Sequence, residues 1–281
     1  MSSGMVINTN ISSINTQRQL TQTNNTLSTT MERLSSGLRV NSAKDDAAGL
    51  AIANRMNSQV RGMTVAVRNA NDGISLAQTA EAAMGELTST MQRMRDLSVQ
   101  AANEGAVTSA DREKIQTEFQ QLNDELSRII TNTEFNGKKI INGSLSTGVN
   151  FQIGANTTSD NQIGISITNL SITLVDVTAA SIGSMASAAD VLSAINVIDT
   201  AIEGIDIARS RLGALQNRFT STITNLQSSI ENQSAAKSRI MDADFAAETA
   251  TLSRTQILQQ AGTAMLSQAN QRPQAVLSLL Q

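Results

Sequence analysis

The chain of 281 residues has no cysteine, histidine, tryptophan or tyrosine, and it holds only five phenylalanines and one proline. Without cysteine there can be no disulfide, thiolate nucleophile or thiolate metal site, whatever the compartment. Without histidine the commonest general base near neutral pH and the commonest metal ligand are both missing, which excludes a Ser-His-Asp triad and an H-E-x-x-H zinc site. The scarcity of aromatic rings removes stacking platforms, and a formal charge of −3 with a pI near 5.1 provides no basic field, so nucleic-acid binding is not expected. No run approaches the roughly 18 apolar residues of a membrane span, and the first residues have neither a basic n-region nor an apolar h-region. The expectation is therefore no catalytic site, no metal, no cofactor, no membrane insertion and no cleaved signal peptide.

What the chain does contain is 40% apolar residues, mostly Ala, Leu, Ile and Met. Alanine lets helices approach closely and methionine fills gaps between them, so the composition favours helix bundling over a thick globular core. The spacing agrees. Leu27, Met31, Leu34 and Leu38 recur at 4, 3 and 4 residues, and Ile7, Ile11, Ile14 and Leu20 extend the stripe towards the N-terminus. Gly37 interrupts this seam. Ser42 to Asp45 then fits S-x-x-D, in which the serine caps backbone N–H groups and the acid sits at the positive helix end. From there Val60, Met63, Val67, Ala70, Ile74, Ala77, Met84 and Met91 predict a helix over about residues 43–103, roughly 90 Å long at about 1.5 Å per residue. Gly62, Gly73 and Gly85 weaken it, and packing against small residues would account for them.

Thr108-Ser-Ala-Asp111 is a second cap pattern, and Ile115, Phe119, Leu122, Leu126 and Ile129 predict a short helix over about residues 109–131. Asn136-Gly137 and Asn142-Gly143 mark turns, while Val149, Phe151 and Ile153, then Ile163, Ile165 and Ile167, alternate as strands do. A β region is thus expected over about residues 134–170. Helix returns over about residues 188–235 along Ile195, Ile198, Ile202, Ile205, Leu212, Phe219, Ile223, Leu226 and Ile230. Asp242 or Asp244 offers an N-cap for a last helix lined by Leu252, Leu258, Met265, Leu266, Ala269, Val276, Leu277 and Leu280. Pro273 should kink or stop that helix.

The acidic pairs Asp45/Asp46, Asp124/Glu125 and Asp242/Asp244 do not suggest acid–base catalysis, because neighbouring helix positions point about 100° apart. Capping or solvation is their simpler use. The fold class is mainly α: an elongated antiparallel helical rod with coiled-coil-like seams, a small β-hairpin region and paired terminal helices. Three parts follow, with residues 1–42 as an N-terminal half of an inner domain and its connector, 43–238 as the rod, and 239–281 as the C-terminal connector and helix.

Several of these stretches closely resemble bacterial flagellin. They are Val6-Ile-Asn-Thr-Asn10, Leu34-Ser-Ser-Gly-Leu-Arg-Val-Asn-Ser-Ala-Lys-Asp-Asp-Ala-Ala-Gly-Leu50, Gln92-Arg-Met-Arg-Asp-Leu-Ser-Val-Gln100, Thr133-Glu-Phe-Asn-Gly137, Arg211-Leu-Gly-Ala-Leu-Gln-Asn-Arg-Phe219 and Val276-Leu-Ser-Leu-Leu280. The resemblance implies a structural subunit that polymerises into a hollow, extracellular flagellar filament used for motility, in a short form lacking the outer variable domains. It implies terminal helices in the filament's inner core, a surrounding rod and a paired spoke between them. For assembly it points to Ile7, Ile11, Ile14, Leu27, Leu34, Leu266, Leu277 and Leu280, and for the spoke to Gly37, Ser42, Asp45, Asp242 and Asp244.

By the same resemblance the expected partners are further copies of the chain, the flagellar cap, the hook–filament junction proteins and a secretion chaperone on the C-terminal helix. Export would run through the flagellar type III apparatus. The family's Toll-like receptor pattern carries over to Arg93, Leu97 and Glu118, with Asp96 where Glu is more familiar. Its cytosolic sensor segment carries over to Val276, Leu277, Leu279 and Leu280. Two other readings compete: a hook–filament junction protein, which shares terminal helices, and a flagellin-like surface adhesin using the central β patch, where Phe151 would be the lone sugar platform.

Overall fold

The computed structural model describes residues 9–170, 176–178, 180–183 and 186–277, with side chains through residue 271. In chain order the elements are helices α1 (Ile11–Ser36), α2 (Ala47–Ala101) and α3 (Ser109–Asn132), strands β1 (Glu134–Phe135), β2 (Lys138–Lys139), β3 (Val149–Gln152) and β4 (Gln162–Ile165), and helices α4 (Ala188–Met241) and α5 (Phe245–Leu277). A short 3₁₀ turn, Ser159–Asn161, precedes β4. The protein is mainly α with two small antiparallel strand pairs. It divides into two compact units: residues 59–231, and residues 1–58 together with 232–281.

In the central unit one run of buried positions on α2 is Met63, Ala66, Ala70, Gly73, Ala77, Ala80, Met84, Leu87, Met91, Met94, Ser98 and Ala101, alternating steps of 3 and 4, with Leu76, Thr88 and Leu97 buried on its flank. That regular alternation is a coiled-coil seam, and small residues in it let the helices approach closely. On α4 the matching run is Val191, Ala194, Ile198, Ala201, Ile205, Ala208, Leu212 and Phe219. The two helices are antiparallel, since Arg95 bonds Asp199, Gln216 bonds Glu81 and Gly73 faces Phe219. From α3, Phe119, Leu126 and Ile130 complete this core, with Ile115, Leu122 and Ile129 packed on its edge. Thr108 caps α3 as its spacing predicts, its hydroxyl accepting from the Asp111 N–H at 3.3 Å.

The first hairpin pairs Glu134 with Lys139 and Phe135 with Lys138 around a two-residue turn. Asn136 at φ 50° and Gly137 at φ 74° supply the left-handed conformation such a turn needs. Strand β2 stops after Lys139, and Ile140 and Ile141 drop fully buried into the core. The second hairpin pairs Val149 with Ile165 and Phe151 with Ile163, as the alternation predicts. Ile163 and Ile165 are buried, and Phe151 meets the Phe219 ring edge-on with centroids 6.0 Å apart. The glycines of α2 do not share one explanation. A methyl group at Gly62 would meet the Ala155 Cβ at 2.8 Å, a small neighbour as expected, but Gly73 makes room for the large Phe219 ring and Gly85 faces nothing within 4 Å.

In the terminal unit α1 and α5 pack antiparallel, tied by Ser13 to Asn270, Asn24 to Gln259 and Arg33 to Glu248. Asn10 caps α1, accepting from the Ser13 N–H at 3.1 Å, and its amide reaches across to the Ala269 carbonyl at 2.8 Å. Backbone helix in α5 continues past Pro273 to Leu277 and does not stop there.

Candidate functional site

The helix pair of the terminal unit keeps only part of the expected seam. The inward positions of α1 are Ser13, Thr16, Leu20, Thr23, Leu27, Thr30 and Leu34, again at steps of 3 and 4. On α5 they are Glu248, Leu252, Thr255, Gln259, Gly262, Leu266 and Ala269. Ser13, Thr30 and Thr255 are buried, and Gly262 lets the Leu20 side chain come close. The predicted stripe through Ile11 and Ile14 therefore lies off this seam: Ile11 is 72% exposed, and Ile14 is exposed too. Met31, placed in the seam from spacing, is likewise exposed, because Thr30 takes its position. On α5, Phe245, Ile257, Leu258 and Met265 also face solvent.

The physical consequence is a mixed seam, in which Leu20, Leu27, Leu34, Leu252 and Leu266 alternate with serine, threonine and glycine, while a second set of large apolar side chains stays wet. Apolar spacing finds the leucines of this seam, but threonines, which bond their own helix backbone, hold the positions between them. Thr16 and Thr255 do this, donating to the Ser12 and Thr251 carbonyls. Of the other residues singled out for assembly, Leu27, Leu34 and Leu266 are half-buried within the pair. Leu277 belongs to α5 by its backbone, whereas Ile7 and Leu280 lie outside the described residues.

The two connectors beside this pair meet. Gly37 ends α1 at φ 71° with its N–H on the Arg33 carbonyl at 2.8 Å. Its own carbonyl accepts from the Ala243 N–H at 3.0 Å, the Arg39 N–H reaches the Met241 carbonyl at 2.6 Å, and Leu38 bridges Asp242 as a single antiparallel rung. The Arg39 guanidinium adds a bond to the Ile240 carbonyl at 2.6 Å.

The Ser42 cap is corrected by the structure. Asp45 instead folds back, its carboxylate accepting from the Ser42 N–H at 2.8 Å, the Ser42 hydroxyl at 3.0 Å and the Asn41 N–H at 3.2 Å. Helix α2 begins later, and Asp46 caps it through the Gly49 N–H at 2.8 Å. The Ser42 N–H foremost, then its hydroxyl, holds the Asp45 carboxyl below the usual carboxylate range. Asp244 caps α5 through the N–H groups of Ala246 and Ala247, while Asp242 accepts the Ser238 hydroxyl. Asp45, Asp46 and Asp244 are thus occupied in ordering backbone, Asp242 in holding Ser238 and Glu125 in pairing with Arg128.

On the central unit, Arg93 and Glu118 come together across α2 and α3, with Nη2 to Oε1 at 2.7 Å and both side chains about half exposed. Leu97 does not join them at the surface. It is 2% exposed and belongs to the core beneath. Residues 276 and 277 sit at the end of α5, and Leu279 lies outside the described residues. A cleft of about 510 Å³ between α2 and the second hairpin is lined by Gly62, Val65, Asn69, Gln152, Ala155 and Asn156 among others, none of them titratable. Among the described residues, no three acidic, histidine or cysteine side chains converge to hold a metal, and no helix is long and apolar enough to cross a membrane.

Long heptad seams, polar clusters spent on caps, and terminal helices with uncovered apolar side chains define a helical structural protein. Residues 7–146 match the bacterial flagellin N-terminal helical region, and residues 195–280 match the bacterial flagellin C-terminal helical region. The flagellin of Halalkalibacterium halodurans is 46% identical over 276 residues, covering 98% of this chain and 100% of that one. That of Bacillus subtilis is 44% identical over 306 residues, again 98% of this chain and 100% of the relative. A putative flagellar hook-associated protein from Vibrio parahaemolyticus shares the fold, with a TM-score of 0.60 at 14% identity over 70% of this chain and 100% of that structure. The chain belongs to the bacterial flagellin family. It is a structural subunit of the extracellular flagellar filament, which such subunits form by self-assembly.

Proposed function

We propose that the uncovered apolar side chains of α1 and α5, led by Ile11, Ile14, Ile257 and Leu258, are the contacts through which one subunit packs against others in the filament. The supporting observation is a second apolar set outside the seam: leucines with serine, threonine and glycine close the pair, and Ile11, Ile14, Ile257 and Leu258 face outward. Burying an aliphatic side chain of this size contributes about 1.5–3 kcal/mol, and a filament repeats that contribution at every subunit. On this reading Leu27, Leu34 and Leu266 serve assembly indirectly by shaping the pair. Seeded elongation of an Ile257→Gln/Leu258→Gln variant tests it. Monomer helicity should be unchanged and elongation lost, whereas elongation at the wild-type rate would refute the assignment.

Residues 1–42 and 239–281 then form the inner core and spoke, and residues 43–238 the surrounding rod. Gly37, Ser42, Asp45, Asp242 and Asp244 hold the two connectors in register. Family resemblance supports export through the flagellar type III apparatus without a cleaved signal, guided by a chaperone on α5, and assembly between hook–filament junction proteins and the cap. It also supports recognition of Arg93 and Glu118 by the Toll-like flagellin receptor. Leu97 fixes the α2 surface from below. Val276, Leu277, Leu279 and Leu280 are the segment offered to the cytosolic flagellin sensor. In a receptor reporter assay Arg93→Ala and Glu118→Ala should each weaken activation, and unchanged activation by both would overturn that part.

A further inference from the structure

Among the described residues the methionines range from fully buried to exposed. Met84, Met91 and Met94 are wholly buried and Met63 nearly so, while Met31 is 51% and Met265 62% exposed. Met56 and Met241 are half-buried. Met265 does not stand alone. It follows Leu258 by seven residues, close to two helical turns, so the two share a face of α5, with exposed Ile257 on its flank. A thioether is oxidised according to its accessibility, and no deprotonation is needed to activate it.

We propose that Met265, together with Met31, is an oxidation site through which peroxide blocks assembly of the free subunit. This rests on the reading that the outward faces of α1 and α5 are buried against other copies. The step is a two-electron oxygen transfer. The thioether sulfur attacks one peroxide oxygen, the S–O bond forms as the O–O bond breaks, and the proton on the transferred oxygen passes to the departing hydroxide, which leaves as water. The product sulfoxide is strongly polar, so covering it in an apolar contact strips it of water without offering a hydrogen-bond donor. In the free subunit it stays solvated, and the helix pair, closed by a seam that excludes Met31 and Met265, keeps its structure. Met63, Met84, Met91 and Met94, buried in the central core, are shielded from the oxidant. Within a filament Met265 is covered, so the subunit before incorporation is the sensitive species.

The test treats purified monomer with hydrogen peroxide, maps sulfoxide by peptide mass spectrometry, and measures seeded elongation alongside far-UV circular dichroism. Expected are oxidation at Met31 and Met265 before Met63, Met84, Met91 and Met94, unchanged helicity, and loss of elongation reversed by methionine sulfoxide reductases. A Met31→Leu/Met265→Leu variant treated identically should elongate as untreated protein does. Loss of its elongation on treatment would overturn the proposal, because the damage would lie elsewhere. A Met31→Gln/Met265→Gln variant separates the two layers of argument. If it elongates normally, these faces are not assembly contacts and the underlying reading fails. If it is blocked while peroxide-treated wild type elongates normally, the reading stands and the oxidation site is refuted.

Discussion

Two glycines in one helix should respond to the same substitution with opposite signs. Replacing an interior helical glycine with alanine gains about 1 kcal/mol from backbone entropy and propensity. At Gly85 nothing lies within 4 Å of the added methyl group, so Gly85→Ala should realise that gain in full. At Gly73 the methyl group would sit 2.9 Å from Phe219 Cζ, 3.2 Å from Cε1 and 3.3 Å from Cε2. Phe219 is completely buried, and the Phe151 ring stands edge-on against it at 84°, so the ring has nowhere to swing. Overpacking of this kind costs about 1–3 kcal/mol, which leaves Gly73→Ala destabilised by about 1 kcal/mol after the helix gain.

The two variants should therefore differ by about 2 kcal/mol, which at a urea slope of about 1–3 kcal/mol/M separates their midpoints by about 1 M. Urea unfolding followed by circular dichroism, with slopes compared to confirm a common transition, measures it. A Gly73→Ala midpoint equal to or above that of Gly85→Ala would refute the reasoning. A cycle with Phe219→Leu locates the cause: trimming the ring should remove most of the penalty at residue 73, so the two substitutions couple by about 1 kcal/mol or more.

Gly37→Val places a β-branched residue at φ 71°, a left-handed conformation that costs about 1–2 kcal/mol for an ordinary side chain, and should speed amide exchange at Arg39 and Ala243 while leaving the exchange of α3 unchanged. Asp46→Ala removes the only side-chain cap seen on α2 and should cost about 1 kcal/mol, with fraying at Gly49 and Leu50 visible by exchange. Asp45, Asp111 and Asp190 have carboxyls held below their ordinary range, chiefly by Ser42, Thr108 and Ser187 respectively. Each therefore adds stability above its unfolded value of about 4, and that stability is lost as pH falls through the lower folded value. Urea midpoints should fall between pH 5 and pH 3, and Asp111→Asn/Asp190→Asn should flatten the fall. An unaltered pH profile in that variant would show the caps do not govern it.

How legible these features were depends on what each residue was packed against. The long helices and their seams could be read because Met84, Met91, Ile198, Ile205 and Phe219 are apolar and buried, so period and burial coincide. The Asn136-Gly137 turn was legible for a local reason, since few other pairs tolerate positive φ at both positions. The terminal pair is legible only in part: Leu20, Leu27, Leu34, Leu252 and Leu266 lie in its seam as their spacing predicts, but the seam also runs through Ser13, Thr30, Thr255 and Gly262, residues that a hydrophobic period does not register. A search for small residues at steps of 3 and 4 would have found them. The Ser42 reading failed by one step of the chain. Two aspartates stand together at 45 and 46, and pattern alone could not say that the first turns back to Ser42 while the second caps α2. Leu97 shows the converse limit. A motif can carry a residue into a surface role that its own seam forbids, because Leu97 sits beside Ser98 and Met94 on the buried side of α2. The apolar residues that spacing placed wrongly are the ones left outside the fold of a single subunit. In a protein whose native state is a polymer, an apolar residue that fits no internal seam is evidence about the interface. Ile11, Ile14, Ile257 and Leu258 carry that evidence here, because the subunit alone gives them nothing to bury against.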